Sequence, residues 1–329
     1  MQYMRKHHSK TKRRCEIFVK LSQAEKEFFR RCYALNLSPV THEQYEKVLR
    51  RLEKACKADG MGADADNINV EDISTTFIRY HIATLSRTLQ AMTVRSHFMS
   101  LRSFFSFLYK EGITPKNVME NMERPKVPHK EIQAFTKEEL QKILNAFDKN
   151  TFTGYRNYVI TCVFFATGIR RRELINIQKE DIRFDINVLK IMGKGNKFRN
   201  IPITESLRKT LLKYIRVRQA YISEKSLYDS PYMFISKDGN KLCCNALSTI
   251  YRLKGKEEKI NGVRVSPHTF RHTFAKFFLL NGGDVFTLQK LLGHSDISMT
   301  RRYVSLNDKD VKAQNEKYNP FENESWRYL

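Results

Sequence analysis

Between Ser266 and Tyr303 the sequence offers two imidazoles (His268, His294), a guanidinium (Arg271) and a phenol (Tyr303). Guanidinium and imidazole donate hydrogen bonds to anionic oxygens, and a tyrosine can act as a covalent nucleophile. No cluster of carboxylates accompanies them. Cationic donors, a hydroxyl nucleophile and no acidic metal ligands suit an anionic substrate, and phosphate is the obvious one.

Short, well-capped helices must position these groups. Ser266 is a helix cap and Pro267 suits the first helical position. Phe270, Phe274, Phe277 and Phe278 follow as an apolar stripe, and His268 and Arg271 share a face at i, i+3. Gly282-Gly283 ends that helix. Asp284 caps the next, with Val285, Leu288, Leu291 and Leu292 inward and Gly293 as its stop, so His294 sits just past its end. Ser295 and Asp296 can start a third short helix carrying Tyr303.

Upstream, Tyr158 to Ala166 is strongly apolar and leads into the turn Thr167-Gly168-Ile169-Arg170, then a helix with Glu173 and Leu174. Phe184 to Ile203 reads as a β-hairpin around Gly193-Lys194-Gly195-Asn196-Lys197, and Leu207 to Ile222 as an amphipathic helix. Thr136 and Glu139 form a capping box at the start of this region. Residues 22–111 read as helices. Tyr45, Val48, Leu49 and Leu52 mark one, Val70 to about Leu85 a second, and Ala91 to Lys110 a third with Phe98, Leu101, Phe104, Phe105 and Leu108 inward. Pro125 and Pro128 within a charge run mark a linker. The expected organisation is a basic arm (1–20), a helical domain (21–122), the linker (123–131), a mostly helical second domain with a small antiparallel sheet (132–310) and a polar tail (311–329), whose terminal aromatics Phe321, Trp326 and Tyr328 mark it as a segment for docking on a neighbouring protomer. The fold class is mainly α.

Lys plus Arg number 59 against 35 Asp plus Glu, a net charge of +24. That balance points to nucleic acid or an anionic membrane surface. No apolar run approaches the ~20 residues of a spanning helix, and the basic N-terminus lacks the apolar core of a signal peptide. None of the six cysteines has metal-site spacing, so they read as free thiols in a reducing cytoplasm. The expected location is cytoplasmic and nucleoid-associated, with no metal and no cofactor. Lys12, Arg13 and Arg14 of the arm, Arg95 and Arg102 of the helical domain, Lys126 of the linker, and Lys197 and Arg199 of the hairpin are the candidate DNA contacts.

The order His268-x-x-Arg271, Leu291-Leu292-Gly293-His294 and then Tyr303, nine residues past His294, resembles the C-terminal signature of the tyrosine recombinases, the phage-integrase family. Thr167-Gly168-Ile169-Arg170-x-x-Glu173-Leu174 resembles their first arginine box. Gly193-Lys194-Gly195-Asn196-Lys197, then Ile201-Pro202-Ile203, resembles their hairpin lysine motif. Residues 37–110 resemble their core-binding domain. The resemblance runs from about residue 20 to 306.

It implies that Tyr303 attacks the scissile phosphate to give a 3′-phosphotyrosine and a free 5′-hydroxyl. Arg170 and Arg271 would clamp the non-bridging oxygens, and Lys194 would protonate the leaving 5′-oxygen. His268 would act as general acid/base, His294 would donate to the phosphate, and Glu173 would orient catalytic groups. Taken singly, each residue has a plainer reading: Arg170 and Glu173 a helix ion pair, Lys194 an exposed turn lysine, His294 a helix cap, Tyr303 a core tyrosine on Met299. The implied function is site-specific recombination through a Holliday junction, in mobile-element integration and excision, with resolution of chromosome or plasmid dimers as the alternative. A type IB topoisomerase shares the chemistry, and a non-catalytic helical DNA-binding protein would share the charge. The implied partners are double-stranded DNA recombination sites, a dimer on one site and a homotetramer on two, and accessory DNA-bending or excision factors.

Overall fold

Serine and threonine hydroxyls cap half of the α-helix starts in the computed structural model, which describes residues 19–128, 133–193, 197–294 and 296–301. The chain divides into two compact units, Met1–Lys130 and Glu131–Leu329.

The first unit is built from α1 (Leu21–Ala34), α2 (Pro39–Ala58), α3 (Thr75–Thr88) and α4 (Ala91–Lys110). Ser38 Oγ accepts from the Thr41 amide at the start of α2, where Pro39 takes the first position. The helix expected over Val70 to Leu85 is instead two elements, a 3₁₀ turn (Val70–Asp72) followed by α3. Ile73 is extended between them, and Ser74 accepts from the Phe77 amide at 3.1 Å, which starts a fresh helix. Ile73, Phe77, Ile78 and Ile82 nevertheless point inward as the spacing requires. Phe28, Phe98 and Phe104 anchor the core, and His81 and His97 face each other across α3 and α4 with Nε2 atoms 3.1 Å apart.

The second unit runs α5 (Lys137–Asn145), α6 (Phe152–Thr167), α7 (Arg171–Asn176), β1 (Ile182–Arg183), β2 (Val188–Met192), β3 (Phe198–Pro202), α8 (Glu205–Glu224), α9 (Cys244–Glu257), α10 (Pro267–Leu280), α11 (Val285–Leu292) and α12 (Ser298–Arg301). The Thr136–Glu139 capping box is present at α5. The sheet is antiparallel in the order β1-β2-β3, with Leu189 opposite Ile201 and Met192 opposite Phe198. Leu189, Ile191 and Ile201 enter the core while Lys190 and Met192 face out, the period-two pattern of a half-buried hairpin. Three elements escaped the sequence reading: a 3₁₀ turn (Lys179–Asp181), the two-residue edge strand β1, and α9, whose cap is the weak acceptor Cys243 Sγ.

α10 packs on α6 at the centre of the unit, where Phe270 meets Phe135, Phe164 and Tyr251. Ser266 caps α10 as expected, but the helix ends at Leu280, before the glycine pair. Ala275, Leu279, Leu288 and Leu292 form a small cluster between α10 and α11, separate from the main core. Among the described residues no helix is long and apolar enough to cross a membrane.

Candidate active site

The sequence places three arginines far apart, and one helix end gathers them. The last carbonyls of a helix lack intrahelical partners. At the end of α11, Gly293 turns the chain into the left-handed region (φ 64°), which leaves those carbonyls accessible. Leu291 O accepts from Arg199 Nε at 2.9 Å, and Leu292 O accepts from Arg271 Nη2 at 2.8 Å. Arg170 reaches Leu292 O at 3.5 Å and Gly293 O at 3.4 Å. The negative end of the α11 dipole thus faces three guanidiniums.

Arg271, only 4 % exposed, also donates from Nη1 to Gly168 O at 2.8 Å. Gly168 is the left-handed cap of α6, at φ 61°, so the turn that ends α6 both presents this carbonyl and delivers Arg170 to the site. Arg271 Nη2 lies 2.7 Å from His294 Nε2. A guanidinium only donates, so Nε2 is the acceptor and the ring proton sits on Nδ1, 2.9 Å from Thr300 Oγ1. His294 is therefore oriented from both sides, and its role extends beyond closing α11.

Glu173 sits beneath this group. Its Oε2 accepts from the Arg170 amide at 2.7 Å, and its Oε1 accepts from Arg170 Nη1 at 2.9 Å. Arg199 adds a forked pair, Nη1 to Oε1 at 3.0 Å and Nη2 to Oε2 at 2.8 Å. Burial pushes the carboxyl up, but the bonds from Arg199 and Arg170 outweigh it and hold Glu173 below its ordinary value. One carboxylate is thereby matched to several guanidiniums, and the surplus charge at the site is positive.

His268, on the first turn of α10, lies within electrostatic reach of the group. Partial burial, then the charges of Arg271, Arg171, Arg170 and Arg264, hold its imidazole below the usual histidine range. Neutral at physiological pH, it can accept a proton. A cleft of about 220 Å³ beside the start of α10 carries Arg252, Lys256 and Arg264.

Arg170, Arg271, His294, Glu173 and His268 are thus brought together. Lys194 and Tyr303 lie outside the described residues, as do Lys12, Arg13 and Arg14. Arg199 was read as a DNA contact, yet its guanidinium is committed to Glu173 and Leu291. Arg102 donates to the Met119 and Met122 carbonyls and lies over the Phe98 ring. Lys126 and Lys197 are exposed, and Arg95 is half-buried. The sequence reading overlooked the carbonyls of Gly168, Leu292 and Gly293, although glycine at two helix ends was the available signal. No group of three or more metal-capable side chains occurs among the described residues.

Known proteins bear on this geometry. The phage integrase family model matches residues 133–310, and the N-terminal SAM-like domain of phage integrases matches residues 28–112. A tyrosine recombinase XerC of Oceanobacillus iheyensis is 30% identical over 306 residues, 93% of this chain and 95% of that protein. A tyrosine recombinase XerD of Listeria monocytogenes is 30% identical over 284 residues, 86% of this chain and 94% of that protein. Among solved structures, the Tn1549 transposon integrase in complex with transposon right end DNA superposes with a TM-score of 0.71 at 16% identity, covering 91% of this chain and 99% of that one. The XerH recombinase bound to palindromic difH substrate gives 0.68 at 18% identity, covering 90% and 84%. The fold is shared with these structures, and the sequence match spans both units: the chain belongs to the phage integrase family and is a tyrosine recombinase, an enzyme of site-specific DNA recombination.

Proposed function

We propose that this recombinase cuts and rejoins double-stranded DNA through a 3′-phosphotyrosine at Tyr303. The reading is carried by the clustering of Arg170, Arg271 and His294 at the end of α11, with His268 beside them. A phosphodiester placed there meets two forked donors for its non-bridging oxygens, where charge grows in the pentavalent transition state. Phosphate would draw Arg271 off the His294 ring, whose Nε2 then requires a proton to donate in turn. The phenol of a tyrosine has an ordinary pKa near ~10, and the surrounding cations favour its phenolate. Neutral His268 is suited to take its proton, and Lys194 to protonate the departing 5′-oxygen. The phosphotyrosine bond retains the phosphodiester energy, so rejoining by the 5′-hydroxyl of a partner strand needs no nucleotide. Successive exchanges pass through a Holliday junction.

The binding partners in this reading are recombination sites in duplex DNA, a dimer on each and a tetramer on a synapsed pair. The role in this reading is integration and excision of a mobile element, with resolution of chromosome or plasmid dimers as the alternative. A pool of nicked random-sequence duplexes tests the chemistry, because loss of the short fragment beyond the nick traps the covalent complex. The wild-type protein should yield a denaturant-stable adduct attached at Tyr303, and Tyr303→Phe should bind DNA and yield none. An adduct formed by Tyr303→Phe would refute the assignment.

A further inference from the structure

Arg199 belongs to β3, whereas Glu173 belongs to the first turn of α7 and Leu291 to the end of α11. Its guanidinium uses three of its N–H groups on the two carboxylate oxygens of Glu173 and the Leu291 carbonyl, at 2.8 to 3.0 Å. Only 13 % of the side chain is exposed, against 6 % for Glu173. Gly293 lies against it so closely that a β-carbon there would stand 3.1 Å from Arg199 Cδ, Nε and Cζ. Glu173 in turn grips both the amide and the guanidinium of Arg170.

We propose that Arg199 is a positioning residue for strand cleavage, a strut that fixes Arg170 and the carbonyl end of α11 in register with the β2–β3 hairpin. The proposal rests on the reading of Arg170 and Arg271 as the phosphate clamp. The geometry favours a strut over a DNA contact. A forked, buried pair with a carboxylate is among the strongest fixed geometries available to a guanidinium, and a phosphate recruiting it would strand Glu173 without its main partner. The strut also joins two parts of the chain that carry separate catalytic groups. Lys194 falls between β2 and β3 in the sequence, and α11 leads into His294. Arg199 is thus the one described side chain bonded both to the Arg170 network and to α11 from the hairpin.

The test compares Arg199→Met, Arg199→Lys and the double variant Arg199→Met/Glu173→Gln on a nicked site recovered by the adduct trap. Two quantities are measured: the salt dependence of binding, and the single-turnover cleavage rate against pH. A strut leaves the salt slope as in wild type, since no phosphate contact is lost. Cleavage by Arg199→Met should fall on the order of 10²-fold, the scale of a misplaced catalytic group. It should also acquire an acid limb. Glu173, facing only Arg170 and otherwise buried, then titrates nearer neutrality, and its protonation as pH falls releases Arg170. Arg199→Lys retains charge without the fork and should lie between.

The double variant removes the stranded charge, so it should be folded even if Arg199→Met is not, lack the acid limb and cleave no faster than about 10-fold below wild type. A salt slope reduced by ~0.9, the value for one lost phosphate contact, would overturn the proposal whatever the rate. Near-wild-type cleavage by the double variant would overturn it as well. Failure of the clamp reading itself is recognised separately, by near-normal cleavage in Arg170→Lys and Arg271→Lys.

Discussion

Gly168→Ala isolates what the α6 cap contributes. The residue sits at φ 61°, and an added Cβ would stand 2.4 Å from Phe274 Cδ1 and 2.8 Å from Leu292 Cδ2. Two costs combine. A non-glycine residue in the left-handed region costs roughly 1–2 kcal/mol. Forcing a methyl into a packed site costs roughly 1–3 kcal/mol, and here the neighbours are the half-buried Phe274 ring and the buried Leu292. The sum is roughly 2–5 kcal/mol, or a melting shift of roughly 5–15 °C for a unit of this size. Gly112 supplies the control: it has φ 71° with nothing within 4 Å of a Cβ, so Gly112→Ala carries only the backbone cost, roughly 1–2 kcal/mol. Denaturant unfolding of each variant followed by far-UV circular dichroism gives both free energies. Gly168→Ala should also slow cleavage more than Gly112→Ala, because the Gly168 carbonyl holds Arg271. Equal losses of stability for the two variants would refute the overpacking argument, since only one of them meets a wall.

Arg170→Lys and Arg271→Lys should each lose cleavage by on the order of 10²–10³ while DNA affinity falls little, because lysine cannot reproduce the fork; single-turnover rates on a nicked site check this. Lys194→Ala should be rescued by a 5′-bridging phosphorothiolate, whose thiolate leaves without a proton, and rescue of His268→Ala in its place would reassign the general acid. In the first unit, burial pushes His97 down to about 3, with further lowering by His81 and Arg51, and His81 is lowered too. Both are depressed histidines, so their contribution to stability is complete above the ordinary histidine value of ~6.5 and is lost as pH falls towards the folded values. Melting curves from about pH 8 to 4 should show that loss, and His81→Phe/His97→Leu should flatten it. Removing residues 311–329 should leave half-site binding intact and abolish cooperative dimer formation in gel shifts; unchanged cooperativity would acquit the tail.

Local chemistry made much of the fold legible. The Thr136–Glu139 box, Ser266-Pro267 and Asp284 each acted as caps, and the Ala91–Lys110 helix was readable end to end because its aromatic stripe is long and unbroken. Val70 to Leu85 misled because its inward residues keep helical spacing through Ile73 and Phe77, while the hydroxyl of Ser74, a better partner for the Phe77 amide, restarts the helix. The clustering of Arg170, Arg271 and His294 was signalled by motif order. Glu173 was signalled with them as an orienting group, and the glycines that end α6 and α11 marked the carbonyls indirectly. The role of Arg199 left no such mark, because it lies 26 residues from Glu173 and meets it only where β3 folds against α7.

The carbonyl end of α11 has a thermal consequence. Three guanidiniums take their bearings from an eight-residue helix whose fully buried residues, Leu288 and Leu292, belong to a satellite cluster, with only the partly buried Leu291 reaching the main core. Small clusters open at lower free energy than the body they adjoin. Heating should therefore silence strand cleavage several degrees before the helical circular dichroism of the protein begins to fall, and amides near the end of α11 should exchange with deuterium ahead of those in α6. Heat-tolerant versions of this recombinase would then be sought by strengthening the packing between α10 and α11 around Ala275, Leu279 and Leu288, ahead of further stabilisation of the main core.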